Sequence, residues 1–287
     1  MPDADRVSGP SDAGAAAPVN NLVLRVASAI VLAPLALLTA YLGGWPFALL
    51  WGLAAIAVLW EWTTLVAGPR HRLMLSASGS AIAAGAMVVL LGRPVTAILL
   101  VGLGVLAALI FAPRERWLWI TAGIGYAGSM LLAPMLLRAD DIDGFLAMVL
   151  LFAIVWTTDV LGYFAGRAFG GPKLLPAVSP KKTWSGAIAG TLGAMIAAVT
   201  IAGLFGSFNR PAIALIALLL SVVAQLGDLF ESWVKRLFGA KDASHLIPGH
   251  GGVMDRLDGF WAAALVGCLI GLLRGGFDGA ARGLLVW

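Results

Sequence analysis

Nine apolar runs, each near the roughly 20 residues that carry a helix across a hydrocarbon core, occupy most of this chain. They limit what it can fold into more than any motif does. Their limits are 22–43, 46–66, 73–92, 95–112, 117–137, 144–166, 184–206, 211–231 and 257–273. In lipid a segment must satisfy its backbone amides and carbonyls internally, so runs of this length are read as helices. The expected fold class is therefore all-α, a polytopic integral membrane protein with about nine transmembrane helices. Composition excludes the soluble alternative, because 60% of the residues are apolar and only 12% charged, about half the charged fraction of a water-facing domain. The net charge of +4 does not indicate nucleic acid, since the basic residues stand singly between apolar runs. Cys268 is the only cysteine, which rules out an intrachain disulfide and a thiolate metal site.

Residues 1–20, rich in Ala, Pro, Gly and Asp, are expected to form a disordered tail rather than a signal peptide. Residues 21–143 hold the first five spans, nearly free of polar residues apart from Glu61, which is expected only to pair with an arginine. Residues 144–287 hold the rest, together with two long polar connections, 167–183 and 232–256. Counting alternate sides of the spans puts 14 of the 19 basic residues on the N-terminal side. Basic residues in short loops stay cytoplasmic, so the N-terminus is expected inside and the C-terminus outside. Both polar connections and the acids Glu61, Asp159, Asp228 and Glu231 fall at the cytoplasmic ends of their spans.

A carboxylate in a membrane helix costs about 2.5–3.5 kcal/mol at the centre on insertion scales, so each asks for a partner or a task. Gln225, Asp228, Ser232 and Lys235 share a helical stripe, an oxygen-rich face suited to a hard cation. Lys235, Arg236, Lys241, Asp242, His250, Gly251, Gly252, Asp255, Arg256 and Asp258 follow closely. Bases for phosphate oxygens, acids for Mg²⁺ and glycines for close backbone approach are what a nucleoside triphosphate with its metal requires. Anionic head groups alone would explain the bases but not the acids. Asp159 shares a stripe with Gly162 and Gly166; the glycine spacing suits helix packing, and the acid is read as functional. Lys181 and Lys182 are read as gripping a phosphate, with positive-inside anchoring as the alternative.

The stretch Ser232–Asp258 resembles the signature of the phosphatidate cytidylyltransferase family at Ser232, Lys235, Arg236, Lys241, Asp242, Pro248, His250, Gly251, Gly252, Asp255, Arg256 and Asp258. A second block, Asp159 to Arg167 followed by Ser179, Pro180, Lys181, Lys182, Thr183 and Trp184, is similar too. The close resemblance covers about residues 155–275 and reaches the first five spans only in hydropathy. It implies that CTP and phosphatidic acid become CDP-diacylglycerol and pyrophosphate, with Mg²⁺ and room for a second metal ion. It further implies catalytic roles for Asp228, Lys241, Asp242, Asp255 and Arg256. Substrate contacts are expected at Asp159, Ser179, Lys181, Lys182, Thr183, Ser232, Lys235, Arg236, His250, Gly251 and Gly252. Asp228 and Asp255 are the implied metal ligands, and Asp258, three residues further on, is the next candidate. The expected partners are CTP, phosphatidic acid, membrane lipids and a second copy of the chain, with no nucleic acid; the expected location is the bacterial inner membrane. Two rivals are a CTP-dependent polyprenol-type lipid kinase and an ion-coupled transporter, and the transporter would call for internal repeats and mid-membrane acids that this sequence lacks.

Overall fold

A computed structural model describes residues 18–67, 72–206, 208–244, 246–247 and 251–287. The described residues form helices α1 (Pro18–Leu42), α2 (Gly44–Ala67), α3 (Arg72–Leu90), α4 (Pro94–Phe111), α5 (Trp117–Arg138), α6 (Gly144–Phe169), α7 (Trp184–Phe205), α8 (Arg210–Leu237), α9 (Met254–Gly275) and α10 (Ala280–Leu285). The only sheet among them is a hairpin of β1 (Lys173–Leu175) and β2 (Ser179–Thr183). Seven helices, α2 and α4 to α9, are long and apolar enough to cross a membrane, while α1 and α3 carry shorter apolar stretches, Ile30–Leu42 and Ser76–Leu90. The protein is an all-α polytopic membrane protein.

Local chemistry sets the helix ends. Thr183 caps α7 by accepting from Gly186 N at 3.2 Å, and Asn209 caps α8 by accepting from Ala212 N at 3.3 Å. α4 and α8 place Pro94 and Pro211 in the first turn, where a missing N–H costs nothing. α6 stops at Gly170, whose φ of +62° lets the chain turn back into the hairpin. Two expected connections prove partly structured. α6 runs on to Phe169 and the hairpin fills most of what remains of 167–183. α8 continues to Leu237 and α9 starts at Met254, so Ser232, Lys235, Arg236, Asp255 and Asp258 lie on helices. α10 has no counterpart among the apolar runs, because six residues are too short to show a period.

Small residues draw the second half of the bundle into two tight seams. Between α6 and α7, a Cβ on Gly186 would fall 2.5 Å from Gly162 O, and one on Gly190 would fall 2.5 Å from Thr158 O. Between α8 and α9, a Cβ on Gly227 would meet Asp258 O at 2.7 Å. Backbone therefore lies on backbone, as small-residue spacing permits in lipid. The Gly162 and Gly166 spacing is thus a packing device. Across the middle, Thr158 Oγ1 and Ser221 Oγ lie 2.7 Å apart, Thr191 Oγ1 is 3.1 Å from Ser221 Oγ, and Gln225 Nε2 donates to Thr191 Oγ1 at 3.0 Å. This chain of hydroxyls and one amide links α6, α7 and α8.

The core centres on α5, which is buried along most of its length, and on a train of rings. Trp62 stacks on Tyr126 (5.2 Å between centroids), Tyr126 on Trp261 (4.1 Å) and Trp261 on Phe230 (6.1 Å). Trp62 Nε1 donates to Trp119 O and Trp261 Nε1 to Ser129 Oγ, each at 2.8 Å, so the indoles are satisfied inside the bundle. α2, α5, α8 and α9 are thereby locked together beneath the polar end.

Candidate active site

The polar side chains converge on a cleft of about 770 Å³ at the end of the bundle where α6 and α8 finish and α7 and α9 begin. α6 supplies Asp159 and Arg167, the hairpin supplies Lys173, Lys181 and Lys182, α8 supplies Asp228, Glu231 and Lys235, and α9 supplies Asp255, Arg256 and Asp258. The α8–α9 seam sets Asp228 beside Asp258, since Gly227 lies against the Asp258 backbone. The hairpin is pinned at its base by Trp184 N donating to Pro172 O at 3.0 Å, which brings Lys182 across the cleft to pair with Asp228. Ser232 Oγ reaches the other Asp228 oxygen at 3.4 Å.

Lys235, only 8% exposed, lies between two carboxylates. Its Nζ is 2.6 Å from Glu231 Oε2 and is paired with Asp255 Oδ1. The second Asp255 oxygen accepts from Gly252 N at 2.7 Å and from Ala243 N at 3.0 Å. Asp255 is thus the keystone between the 238–253 loop and α9. Glu231 is fully buried, and neither of its oxygens meets a donor in hydrogen-bond geometry, despite the close ammonium.

The structure gathers Asp159, Lys181, Lys182, Thr183, Asp228, Lys235, Asp242, Asp255, Arg256 and Asp258 on the cleft wall. It leaves Ser179, Ser232, Arg236, Lys241, Gly251 and Gly252 off that wall, and His250 lies outside the described residues. Thr183 lines the cleft, but its hydroxyl is engaged as the α7 cap. Arg236 turns back to Ala240 O at 3.2 Å. Gly252 is explained by room: a Cβ there would fall 2.6 Å from Glu61 Oε1. Gly251 has φ +88°, and a Cβ on it would come within 2.9 Å of Asp255 Oδ2. Sequence reading gave no role to Arg167, Lys173 and Glu231. Arg167 matched the second motif block without a charge pattern to single it out.

Among the described residues Glu61 has no arginine partner of the kind expected from the sequence. Its oxygens accept from Ser244 Oγ at 2.5 Å, Val253 N at 2.8 Å and Met254 N at 2.6 Å.

The cleft suits a hard cation shared with phosphates, because it offers the carboxylate oxygens of Asp159, Asp228 and Asp258. Among the described residues no group of three or more His, Cys, Asp or Glu closes into a cage. Mg²⁺ bound to a nucleotide needs just one or two protein carboxylates, because phosphate oxygens and waters complete its octahedron. Asp228 and Asp258 fit that requirement; Asp228 meets the side chains of Lys182 and Ser232, whereas Asp255 is held by the buried Lys235 and by the backbone amides of Gly252 and Ala243.

Comparison with known proteins carries the likeness beyond the second half. The chain is 42% identical over 259 residues to the phosphatidate cytidylyltransferase of Brucella abortus biovar 1, covering 89% of this chain and 95% of the relative. It is 35% identical over 210 residues to the phosphatidate cytidylyltransferase of Rickettsia felis, covering 63% of this chain and 92% of that protein. The alignment with the Brucella protein is too long to exclude the first five helices, so the resemblance there is one of sequence and not of hydropathy alone. The sequence model of the Cytidylyltransferase family matches residues 23–272, nearly the whole bundle, and the chain belongs to that family.

Proposed function

We propose that this protein transfers the cytidylyl group of CTP to phosphatidic acid, forming CDP-diacylglycerol and releasing pyrophosphate. The observation that carries the reading is a cleft, set at one end of a membrane bundle, in which six basic side chains face a set of carboxylates. A triphosphate and a phosphomonoester both require such bases, and a lipid substrate requires the membrane surface. The names of the relatives agree.

The lipid phosphate oxygen attacks the α-phosphorus of CTP, and the bond to the β-phosphate bridging oxygen breaks with pyrophosphate leaving in line. The attacking oxygen is already anionic, so no strong base is needed, and the protein works by positioning and by charge neutralisation. Arg167, Lys173, Lys181 and Arg256 hold phosphate oxygens from the α6 and hairpin side and from the start of α9. Lys182, paired with Asp228, is exchanged onto phosphate when substrate enters. Asp228 and Asp258 would hold a divalent cation, which would supply Lewis-acid neutralisation of the phosphate charge. Lys235 keeps Asp255 in place and does not itself reach for substrate.

The cleft end faces the cytoplasm of a bacterial inner membrane, supported by the excess of basic residues on that side. The deciding experiment incubates the purified protein with phosphatidic acid, CTP labelled in the cytosine and Mg²⁺. A labelled lipid with release of pyrophosphate supports the reading. Phosphorylation of a lipid alcohol with release of CDP would make it a kinase instead.

A further inference from the structure

Every role assigned so far falls after residue 158, yet a fully buried carboxylate from α2 reaches the scaffold of the site. Glu61 accepts from Val253 N and Met254 N, at the start of α9, and from Ser244 Oγ in the loop that precedes it. The first N–H groups of a helix have no partner inside it and gather partial positive charge. Val253, the residue before α9, offers no side-chain cap of its own. A carboxylate from a helix 192 residues away supplies one. Burying that carboxylate would be costly without full hydrogen bonding, and here three donors meet it. Gly252 fits the same arrangement, since any side chain there would overlap the Glu61 carboxylate.

Glu61 is absent from the cleft wall. Its influence passes through α9, whose first turn carries Asp255 and whose next carries Asp258. From the other side Lys235 of α8 holds Asp255. The start of α9 is therefore clamped between α2 and α8, and the clamp sets how far its acids stand from Asp228.

We propose that Glu61 is a positioning residue for cytidylyl transfer, fixing the first turn of α9 so that its acids keep register with Asp228 across the cleft. This rests on the function proposed above. The test uses the full chain in lipid nanodiscs, as wild type, Glu61→Gln, Glu61→Ala, Gly252→Ala and the Glu61→Ala/Gly252→Ala pair. CDP-diacylglycerol formation is measured alongside thermal unfolding and hydrogen exchange of the peptide spanning 240–256.

Glu61→Ala is expected to lower kcat by about 10- to 100-fold, the scale of a displacement near one ångström, with KM for CTP changed by less than about threefold on the same argument. Exchange should rise in 240–256 and stay unchanged in α6 and α7. Glu61→Gln, keeping one acceptor, should fall between wild type and Glu61→Ala. Gly252→Ala should be costly alone and nearly free on the Glu61→Ala background, where its methyl enters the vacated space. Wild-type kcat and exchange in Glu61→Ala overturn the proposal. So does a loss explained wholly by a smaller folded fraction with exchange raised throughout, or losses in the double variant that simply multiply. If the wild type makes no CDP-diacylglycerol, the functional reading fails instead, and the local exchange still reports whether Glu61 holds α9.

Discussion

Asp228 meets Lys182 on one oxygen and Ser232 on the other, so a charged partner stands where substrate phosphate must compete for the lysine. Asp228→Asn should leave the protein inserted and lower turnover by roughly 100-fold or more, the usual loss when a group stabilising transition-state charge is removed; initial rates at saturating CTP across a Mg²⁺ series check this. Changing Lys181 and Lys182 jointly to Ala should weaken substrate use by about 10- to 100-fold, from lost charge-assisted hydrogen bonds, without altering membrane insertion; unchanged rates at limiting substrate would reduce them to topology anchors. Lys235 should behave differently. It separates two buried carboxylates, and removing one partner of such a set costs about 3–5 kcal/mol. Lys235→Ala is therefore expected to lower thermal stability sharply rather than raise KM, which a melting curve in detergent resolves. The carboxylates of the cleft were legible because a charge inside an apolar run stands out. The partners of Glu61 were not, since two are backbone amides far along the chain and leave no trace in residue identity.

Helix limits could be read from the sequence to within a few residues, because hydropathy falls abruptly at pairs such as Gly92 and Arg93 and caps such as Thr183 and Asn209 mark the starts. The extension of α8 through Leu237 was hidden by the very charges that mark its end as polar. The hairpin was hidden for the opposite reason. Ser179 to Thr183, with a proline and two lysines, has little intrinsic strand preference, and its pairing has an irregular register, Lys173 opposite Thr183 and Leu175 opposite Ser179. Packing against α6 and α7 holds it. At this scale the seam between α6 and α7 is the feature most open to test. Gly186→Ala would set a methyl 2.5 Å from Gly162 O, and forcing that overlap should cost about 1–3 kcal/mol. The same change should lower activity, because Asp159 and the hairpin lysines sit on opposite sides of the seam; unfolding midpoint and rate are expected to fall together.

Across the whole molecule, the two ends of the bundle are unlike. At one end Arg116 donates to Val66 O and lies 5.5 Å from the Phe238 ring, tying α2, α5 and α8 around the polar cleft. At the other, Arg138 donates to Ala40 O at 2.5 Å, and α10 folds back against α9, where a Cβ on Gly271 would fall 2.1 Å from Ala280 O. A tag inserted between residues 170 and 180 and one at the N-terminus should therefore report the cytoplasm, and one after Trp287 the periplasm. Labelling of 170–180 from outside the cell would remove the case for CTP access as well as the orientation. The paired seams also bear on motion. Helices joined backbone to backbone have no side chains free to repack, so α6 with α7, and α8 with α9, behave as two stiff boards. The boards meet along the hydroxyl and amide ladder of Thr158, Thr191, Ser221 and Gln225. Thr158 and Gln225 of that ladder also line the cleft, so the joint between the boards is at the same time part of the cleft wall, and whatever shifts one board against the other reshapes the site.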